Sequence, residues 1–326
     1  MSVPKIAAVA LGAGGPRVGV QGLGCMGFDG TEPTVALDAA LAAGVTLFDT
    51  ADVYGCGASE RFLAPFLRAH RDEIMIGTKF GRVRGGPVRN DRDYLRRAVD
   101  GSLRRLGVDV IDVYYLHRRD PEMPLADSVG AMAELVTEGK VRHLGLCEVS
   151  GEELRVAQAV HPIAAVQSEW SIFARDVETS LVPVAGELGV AVVPYSPLGR
   201  GFLTGAFTDA ATDLSADDYR RHHPRLTGDN ARANADLLVP LRTIADGAGA
   251  TAAQIALAWV QQRATVHGLC AVVPIPGTRR PSRIIENAGA TRITLSEPEL
   301  ALLEPIADRV AGERFNGATH RPPVRR

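Results

Sequence analysis

Residues 91–117 read Asp-Arg-Asp-Tyr-Leu-Arg-Arg-Ala-Val-Asp-Gly-Ser-Leu-Arg-Arg-Leu-Gly-Val-Asp-Val-Ile-Asp-Val-Tyr-Tyr-Leu-His, and this stretch decides the fold. Asp91–Leu106 is amphipathic, as a helix with one buried face must be. Gly107 follows where such a helix stops, because glycine enters the left-handed backbone that ends helices. Val110–His117 is then an apolar, β-rich run that ends on an ionisable side chain. Helix, glycine, strand and polar strand end together form the unit from which parallel β/α folds are built.

The same unit recurs in both directions along the chain. Candidate strands are Val45–Thr50, Ile74–Phe80, Val110–His117, Val141–Glu148, Ala164–Trp170, Val190–Ser196, Ala271–Ile275 and Thr291–Leu295. Between them lie amphipathic stretches at Leu125–Glu138, Glu152–Ala159, Val177–Leu188, Ala231–Gly247 and Thr251–Arg263. Gly139 and Gly189 close helices as Gly107 does. A doubly wound sheet also fits this alternation, but eight units over about 300 residues favour a closed barrel. The sequence therefore predicts an α/β protein, a single (β/α)8 TIM barrel domain over residues 1–326. It also predicts a short N-terminal hairpin at 5–20 plugging the barrel floor. A long cofactor or substrate loop at 200–230 follows the sixth candidate strand, and 312–326 form a C-terminal tail. Long loops in compact domains are usually functional.

Composition narrows the function classes. The chain has 326 residues, 46% of them hydrophobic and 23% charged, the balance of an ordinary globular protein. Its net charge is −2, so no basic field invites nucleic acid or an anionic membrane. The longest apolar runs are of strand length, far below the roughly 20 residues of a membrane span. No cleavage-type signal stands at the N-terminus, and the four cysteines (Cys25, Cys56, Cys147, Cys270) lack C-x-x-C spacing. Reduced thiols, a cytoplasmic location and no metal are the expectation. Lysine is scarce: only Lys5, Lys79 and Lys140 occur.

Polar residues end several strands. Asp49 closes the run from Val45, Lys79 closes that from Ile74, and His117 closes that from Val110, with Tyr54 on the loop just beyond Asp49. In a parallel barrel these C-terminal ends converge on one face, where active sites lie. A tyrosine, with a pKa near about 10, cycles protons poorly at neutral pH. A nearby ammonium lowers that value, and a carboxylate on the lysine keeps the ammonium charged. A histidine beside them can orient a carbonyl oxygen. One such residue alone is more simply structural; four on one barrel face read as an acid–base site.

Ordered motifs run along nearly the whole chain: Gly22-Leu-Gly-Cys-Met-Gly27, Asp49-Thr-Ala-Asp-Val-Tyr-Gly55, Thr78-Lys79-Phe80, Tyr115-Leu-His-Arg-Arg-Asp-Pro121, Gly139-Lys-Val-Arg142, Gln167-Ser-Glu169, Pro194-Tyr-Ser-Pro-Leu-Gly-Arg-Gly-Phe-Leu-Thr-Gly205 and Pro274-Ile-Pro-Gly-Thr278 with Glu286-Asn287. With them the sequence resembles the aldo-keto reductases of the bacterial and plant-type branch. The resemblance implies reduction of aldehydes or ketones with NADP(H), with Tyr54 as proton donor and Lys79, Asp49 and His117 completing a tetrad. It implies that Gln167, Asp49 and Cys147 lie at the carboxamide, that Tyr195 stacks on the nicotinamide, and that Cys25 and Met26 line its surroundings. Ser196, Leu198 and Arg200 fall at the pyrophosphate, Arg279 and Arg283 at the 2′-phosphate, and Glu286 and Asn287 at the adenine. A cofactor-binding regulatory protein, resembling channel β-subunits, is the alternative. The partner implied is a small-molecule carbonyl substrate; the oligomeric state is open.

The phosphate end also follows from physics. Gly277-Thr278 opens a helix that Pro281 suits, and Arg279, Arg280 and Arg283 crowd its start. Cations there oppose the helix dipole by about 0.3–1 kcal/mol each, so an anion among them makes the arrangement favourable.

Some signals are weaker. Gly12, Gly14 and Gly15 form a turn rather than a dinucleotide fingerprint, and His222-His223 reads as a solvated loop. Trp170 stands where tyrosine is usual and is expected in the pocket or the core. Cys147 stands where relatives commonly have serine, a better hydrogen-bond partner; a redox-sensitive thiol is one reading. The segment Arg82–Asn90 is basic and glycine-rich and reads as a solvated loop, with attraction of anionic substrates as the sharper alternative.

Overall fold

A computed structural model describes residues 5–30 and 34–315. The chain opens with β1 (Ala8–Ala10) and β2 (Arg17–Gly19), then β3 (Leu23–Gly24), α1 (Val35–Ala42), β4 (Leu47–Asp49), α2 (Ala58–His70) and β5 (Met75–Phe80). It continues through α3 (Arg92–Leu106), β6 (Ile111–Leu116), α4 (Leu125–Thr137), β7 (Val141–Cys147), α5 (Gly151–Val160), β8 (Ile163–Glu169), α6 (Leu181–Leu188) and β9 (Ala191–Tyr195). The last part is helical: α7 (Ala210–Asp213), α8 (Gly228–Asp236), α9 (Val239–Ala248), α10 (Ala252–Val266), α11 (Pro281–Gly289) and α12 (Glu297–Leu303). Strands β3 to β9 pair in parallel, each with the next in the chain.

Residues 271–275 close the barrel. Val192 bridges to both Ala271 and Val273 there (Val192 N to Ala271 O, 3.0 Å; Val273 N to Val192 O, 2.9 Å), and Gly22 N reaches Pro274 O at 2.9 Å. This parallel (β/α)8 barrel is the predicted fold, with two corrections of count. Leu23–Gly24 is the first barrel strand, which the sequence reading omitted, so the long excursion follows the seventh strand and not the sixth. Thr291–Leu295 is not a strand. Its end is held by the Gln262 amide, which donates to Leu295 O at 3.1 Å and accepts from Leu295 N at 2.7 Å, so a side chain takes the place of a ladder partner. Two predicted helices are broken. Val177–Leu188 is interrupted at Ser180 (φ −137°, ψ −55°), and Ala231–Gly247 divides between α8 and α9.

Caps set the helix ends as local chemistry requires. The Asp91 side chain accepts from Tyr94 N at 2.9 Å at the start of α3, and Gly107 ends that helix at φ 65°. Ser150 with Glu153 and Thr251 with Gln254 form capping boxes on α5 and α10, each satisfying amides that the first turn leaves bare.

Strand side chains alternate between faces, and toward the C-terminal ends of β4 to β9 the odd-numbered positions face the lumen, while Ile111, Val141 and Ile163 at the strand starts pack outward. Leu47, Val113, Tyr115, Cys147, Ala165, Ala191, Val193, Ala271, Val273 and Ile275 form the inner core. Even-numbered Phe48, Ile76, Tyr114, Leu116, Leu144, Val166 and Val192 pack outward under the helices. Gly145 leaves room for the Tyr115 ring, since a Cβ there would stand 2.3 Å from it.

The predicted hairpin is present as β1 and β2, joined in antiparallel register. Leu11 and Val18 are buried in the inner core, and Ala13 N bonds Gly189 O at 2.8 Å. Gly12 takes φ +83° where its Cα faces Ala164 O, so closely that a Cβ would sit 2.3 Å away. The excursion at 200–230 is folded, with Phe202, Leu203, Phe207 and Leu226 buried and the Phe202 ring 5.5 Å from Phe207 and 5.9 Å from Phe173. The C-terminal tail lies outside the described residues beyond Phe315.

Candidate active site

The lumen parity carries the site. Asp49, Lys79, His117, Cys147, Gln167 and Tyr195 are all odd-numbered and stand within two residues of the C-terminal ends of β4 to β9, so alternation turns them toward one mouth. Lys79 is fully buried and Asp49 is 3% exposed. The Lys79 ammonium is paired with Asp49 Oδ1 and donates to Thr50 O at 2.7 Å. Gln167 Nε2 donates to Asp49 Oδ2 at 2.8 Å. Burial acts to lower the Lys79 pKa, but Asp49 and then Tyr54 outweigh it, and the net direction is up. The ammonium stays charged in the barrel interior.

Tyr54 begins a 3₁₀ turn over Tyr54–Gly57. The backbone ties the turn down: Tyr54 N bonds Ala51 O at 3.2 Å, and Asp52 N bonds Lys79 O at 3.1 Å. Lys79 Nζ lies 5.2 Å from the centroid of the Tyr54 ring. The His117 ring stands edge-on to that ring, with centroids 5.8 Å apart and planes at 87°. The four residues expected to meet do meet. The expected lowering of the Tyr54 pKa is not the net outcome: burial raises it, Lys79 opposes this, and Asp49 adds to the rise. Desolvation outweighs the neighbouring charge here.

The remaining expected residues fall at two places. Around the mouth, Cys25 is buried and its N–H donates to Asp49 O at 2.8 Å, while Met26 is half exposed. Cys147 pairs in register with Gln167, and Glu169 with Tyr195. Ser196 and Arg200 both hold left-handed backbone, φ 48° and 58°, an arrangement that costs energy and clusters at functional sites. Between them Leu198 is half-buried, and Arg200 pairs with Glu169 at 3.2 Å. At the second place, Gly277 lies against Gly24, where a Cβ would sit 2.9 Å from Gly24 O. Thr278 precedes α11, whose first turn has Arg279 and Arg283 exposed beside it. Glu286 accepts from Thr251 Oγ1 at 2.7 Å, and Asn287 is buried.

Three side readings are resolved by contacts. Cys147 is 2% exposed, and burial pushes its thiol up to about 12, so it stays protonated and a poor nucleophile. Trp170 is buried and donates to Glu178 at 2.9 Å, a core position. His223 Nδ1 accepts from Arg225 N at 3.3 Å in a local turn. The sequence reading set aside Arg82 as part of a solvated loop, yet it is only half-exposed and joins Val88 in an antiparallel bridge. Its place two residues beyond β5 was the signal that could have found it.

The sequence and the fold are both matched by known proteins. Residues 10–308 match the model of the aldo/keto reductase family. A relative from Glycine max, "Probable aldo-keto reductase 1", is 40% identical, covering 98% of this chain and 95% of that protein. The chain belongs to the aldo/keto reductase family. Among solved structures, a glycerol dehydrogenase from Gluconobacter oxydans aligns with TM-score 0.79 and 25% identity, over 98% of this chain and all of that one. An aldo-keto reductase from Klebsiella pneumoniae in complex with NADPH aligns with TM-score 0.72 and 26% identity, over 93% of this chain and 95% of that one.

Proposed function

We propose that this protein reduces aldehydes or ketones to alcohols with NADPH, with Tyr54 donating the proton to the carbonyl oxygen. The observation that carries the reading is the Lys79 ammonium, buried, charged by Asp49 and 5.2 Å from the Tyr54 ring. Tyr54 loses its proton in that step, and the adjacent ammonium stabilises the phenolate that remains. His117, edge-on to Tyr54, orients the carbonyl oxygen toward the phenol. Gln167 and Asp49 hold each other at the level where a nicotinamide carboxamide would bind.

The residues fit the cofactor. Tyr195 Oη, at the end of β9, and Arg200 Nε, in the turn whose Ser196 and Arg200 are left-handed, are buried without hydrogen-bond partners among the described residues. At α11 no side chain caps the first turn, and Arg279, Arg280 and Arg283 stand exposed at or just before it, a combination suited to a 2′-phosphate. Bound NADPH would supply the hydride that the carbonyl carbon takes up.

Tyr54→Phe tests the assignment. The variant is expected to bind NADPH as the wild type does, by fluorescence titration, and to lose turnover by about 10²-fold or more, the usual scale for general acid catalysis. Unchanged turnover would remove Tyr54 from the mechanism. Wild-type binding of NADPH with no turnover of any carbonyl would favour a cofactor-sensing role instead.

A further inference from the structure

The mouth of the barrel carries two guanidinium groups that the acid–base chemistry does not use. Phe80 pairs with Leu116 where β5 and β6 end, and Arg82 and Arg118 each lie two residues further on. The backbone beyond both strands is fixed. His117 N bonds Phe80 O at 2.8 Å, Arg89 N bonds Gly81 O at 2.9 Å, and the Asn90 amide donates to Arg118 O at 3.0 Å. Arg118 Nη1 folds back onto His117 O at 2.7 Å, which ties it to the end of β6.

Neighbouring arginines have partners of their own. Arg89 pairs with Asp91 at 2.8 Å, Arg119 with Glu153 at 3.3 Å, and Arg84 donates to Cys56 Sγ at 3.0 Å. Among the described residues, neither Arg82 nor Arg118 is in an ion pair. Burial acts against the charge of Arg118, but Tyr195 first and then Glu148 favour it and the net direction is up; Glu148 is itself held by Arg314 at 2.6 Å. Arg82 is half-buried, and both burial and the repulsion of Arg118 disfavour its charge, while Tyr54 and Tyr195 lie within electrostatic reach. Two guanidinium groups just past the paired ends of neighbouring strands, beside an acid–base site and neither in an ion pair among the described residues, leave a place that an anion would satisfy. Guanidinium forks match carboxylate and phosphate oxygens in geometry.

We infer that Arg82 and Arg118 form an anion subsite at the mouth, and that the preferred substrates are carbonyl compounds bearing a carboxylate or phosphate group. This inference deepens the proposed carbonyl reduction and rests on it for the substrate's second functional group.

The test compares 4-carboxybenzaldehyde with methyl 4-formylbenzoate, which share the para-substituted benzaldehyde and of which the first alone carries an anion at neutral pH. In the NADPH-loaded wild type, kcat/KM for the acid is expected to exceed that for the ester about tenfold or more, through KM, and the advantage to shrink with salt. Arg82→Gln is expected to cut the acid-to-ester ratio about tenfold. Arg118→Lys, which keeps the charge, is expected to retain more of the ratio than Arg118→Gln. An ester reduced as well as the acid, or a ratio that neither Gln variant changes, overturns the subsite. If no carbonyl is reduced, the proposed function fails separately, and the subsite is read by calorimetric titration with benzoate and benzamide. Benzoate preferred by the wild type, with the preference lost in Arg82→Gln, upholds it; equal binding of the two overturns it.

Discussion

Gln167 on β8 and Lys79 on β5 hold the two oxygens of one carboxylate: Gln167 Nε2 donates to Asp49 Oδ2 at 2.8 Å, while Oδ1 is paired with the lysine. A residue assigned by resemblance to the cofactor is thus bonded to the tetrad from across the barrel. Gln167→Leu removes a donor to a charged acceptor, worth about 1.5–3 kcal/mol. The variant is expected to unfold at lower denaturant, and to show weaker NADPH binding together with a lower kcat. A change in NADPH affinity alone, with kcat and stability intact, would mean that the Asp49 contact does not matter.

Removing Lys79 leaves Asp49 charged, buried and uncompensated. Breaking a buried pair in this way costs about 3–5 kcal/mol, so Lys79→Met is expected to lower stability by that order and to abolish turnover. Adding Asp49→Leu removes the stranded charge and is expected to restore much of the stability with none of the activity. Denaturant unfolding of the single and double variants, alongside turnover, separates the two effects.

Asp52 offers a pH prediction of its own. Burial first, and the Glu60 carboxylate next, raise its pKa to about 7, against Arg105. The folded state therefore keeps a proton that the unfolded chain releases near about pH 4. The contribution of Asp52 to stability is full below that pH and is lost as pH rises through about 7. The stability of Asp52→Asn relative to the wild type is expected to climb between pH 5 and pH 8. Unfolding midpoints measured across that range read it directly, and a flat difference would contradict the raised pKa.

Arg283 sits in the first turn of α11, exposed, opposite the helix dipole. If a 2′-phosphate offsets its charge, Arg283→Ala raises the Kd for NADPH about tenfold and leaves that for NADH nearly unchanged. Fluorescence titration with both nucleotides measures the ratio. Equal losses for the two would place the arginine away from the 2′-phosphate.

The barrel was legible in the sequence because its middle strands are apolar runs closed by polar residues and preceded by glycine stops at Gly107, Gly139 and Gly189. Its first strand was not. Leu23–Gly24 is two residues, one of them glycine and preceded by Gly22, too short to show a period, and its pairing is supplied from β4 and from residues near 274. Thr291–Leu295 misled in the opposite direction: β-branched residues mark strand propensity, but here the Gln262 side chain takes the backbone bonds. Ser180 breaks a run whose apolar pattern continues through it, since periodicity does not report a local dihedral.

The site was legible as residue types at strand ends, and the parity of positions 49, 79, 117, 147, 167 and 195 fixes their common face without any relative. What the sequence could not weigh was burial against charge. The ammonium beside Tyr54 was foreseen, yet desolvation sets the net direction. Arg82 was undervalued for a similar reason, because a basic, glycine-rich segment gives no sign that a bridge to Val88 holds its start against the barrel.

The hydrogen bond from Gly22 N to Pro274 O has a consequence for how the chain is made. A ribosome releases Gly22 early and Pro274 near the end, so a partial product that has paired β3 with β4 still carries a bare edge on the other side. That edge is two residues long and rich in glycine, a poor template for strands of other chains. The brevity that hid this strand from sequence reading therefore guards the nascent protein against association until its closing segment emerges.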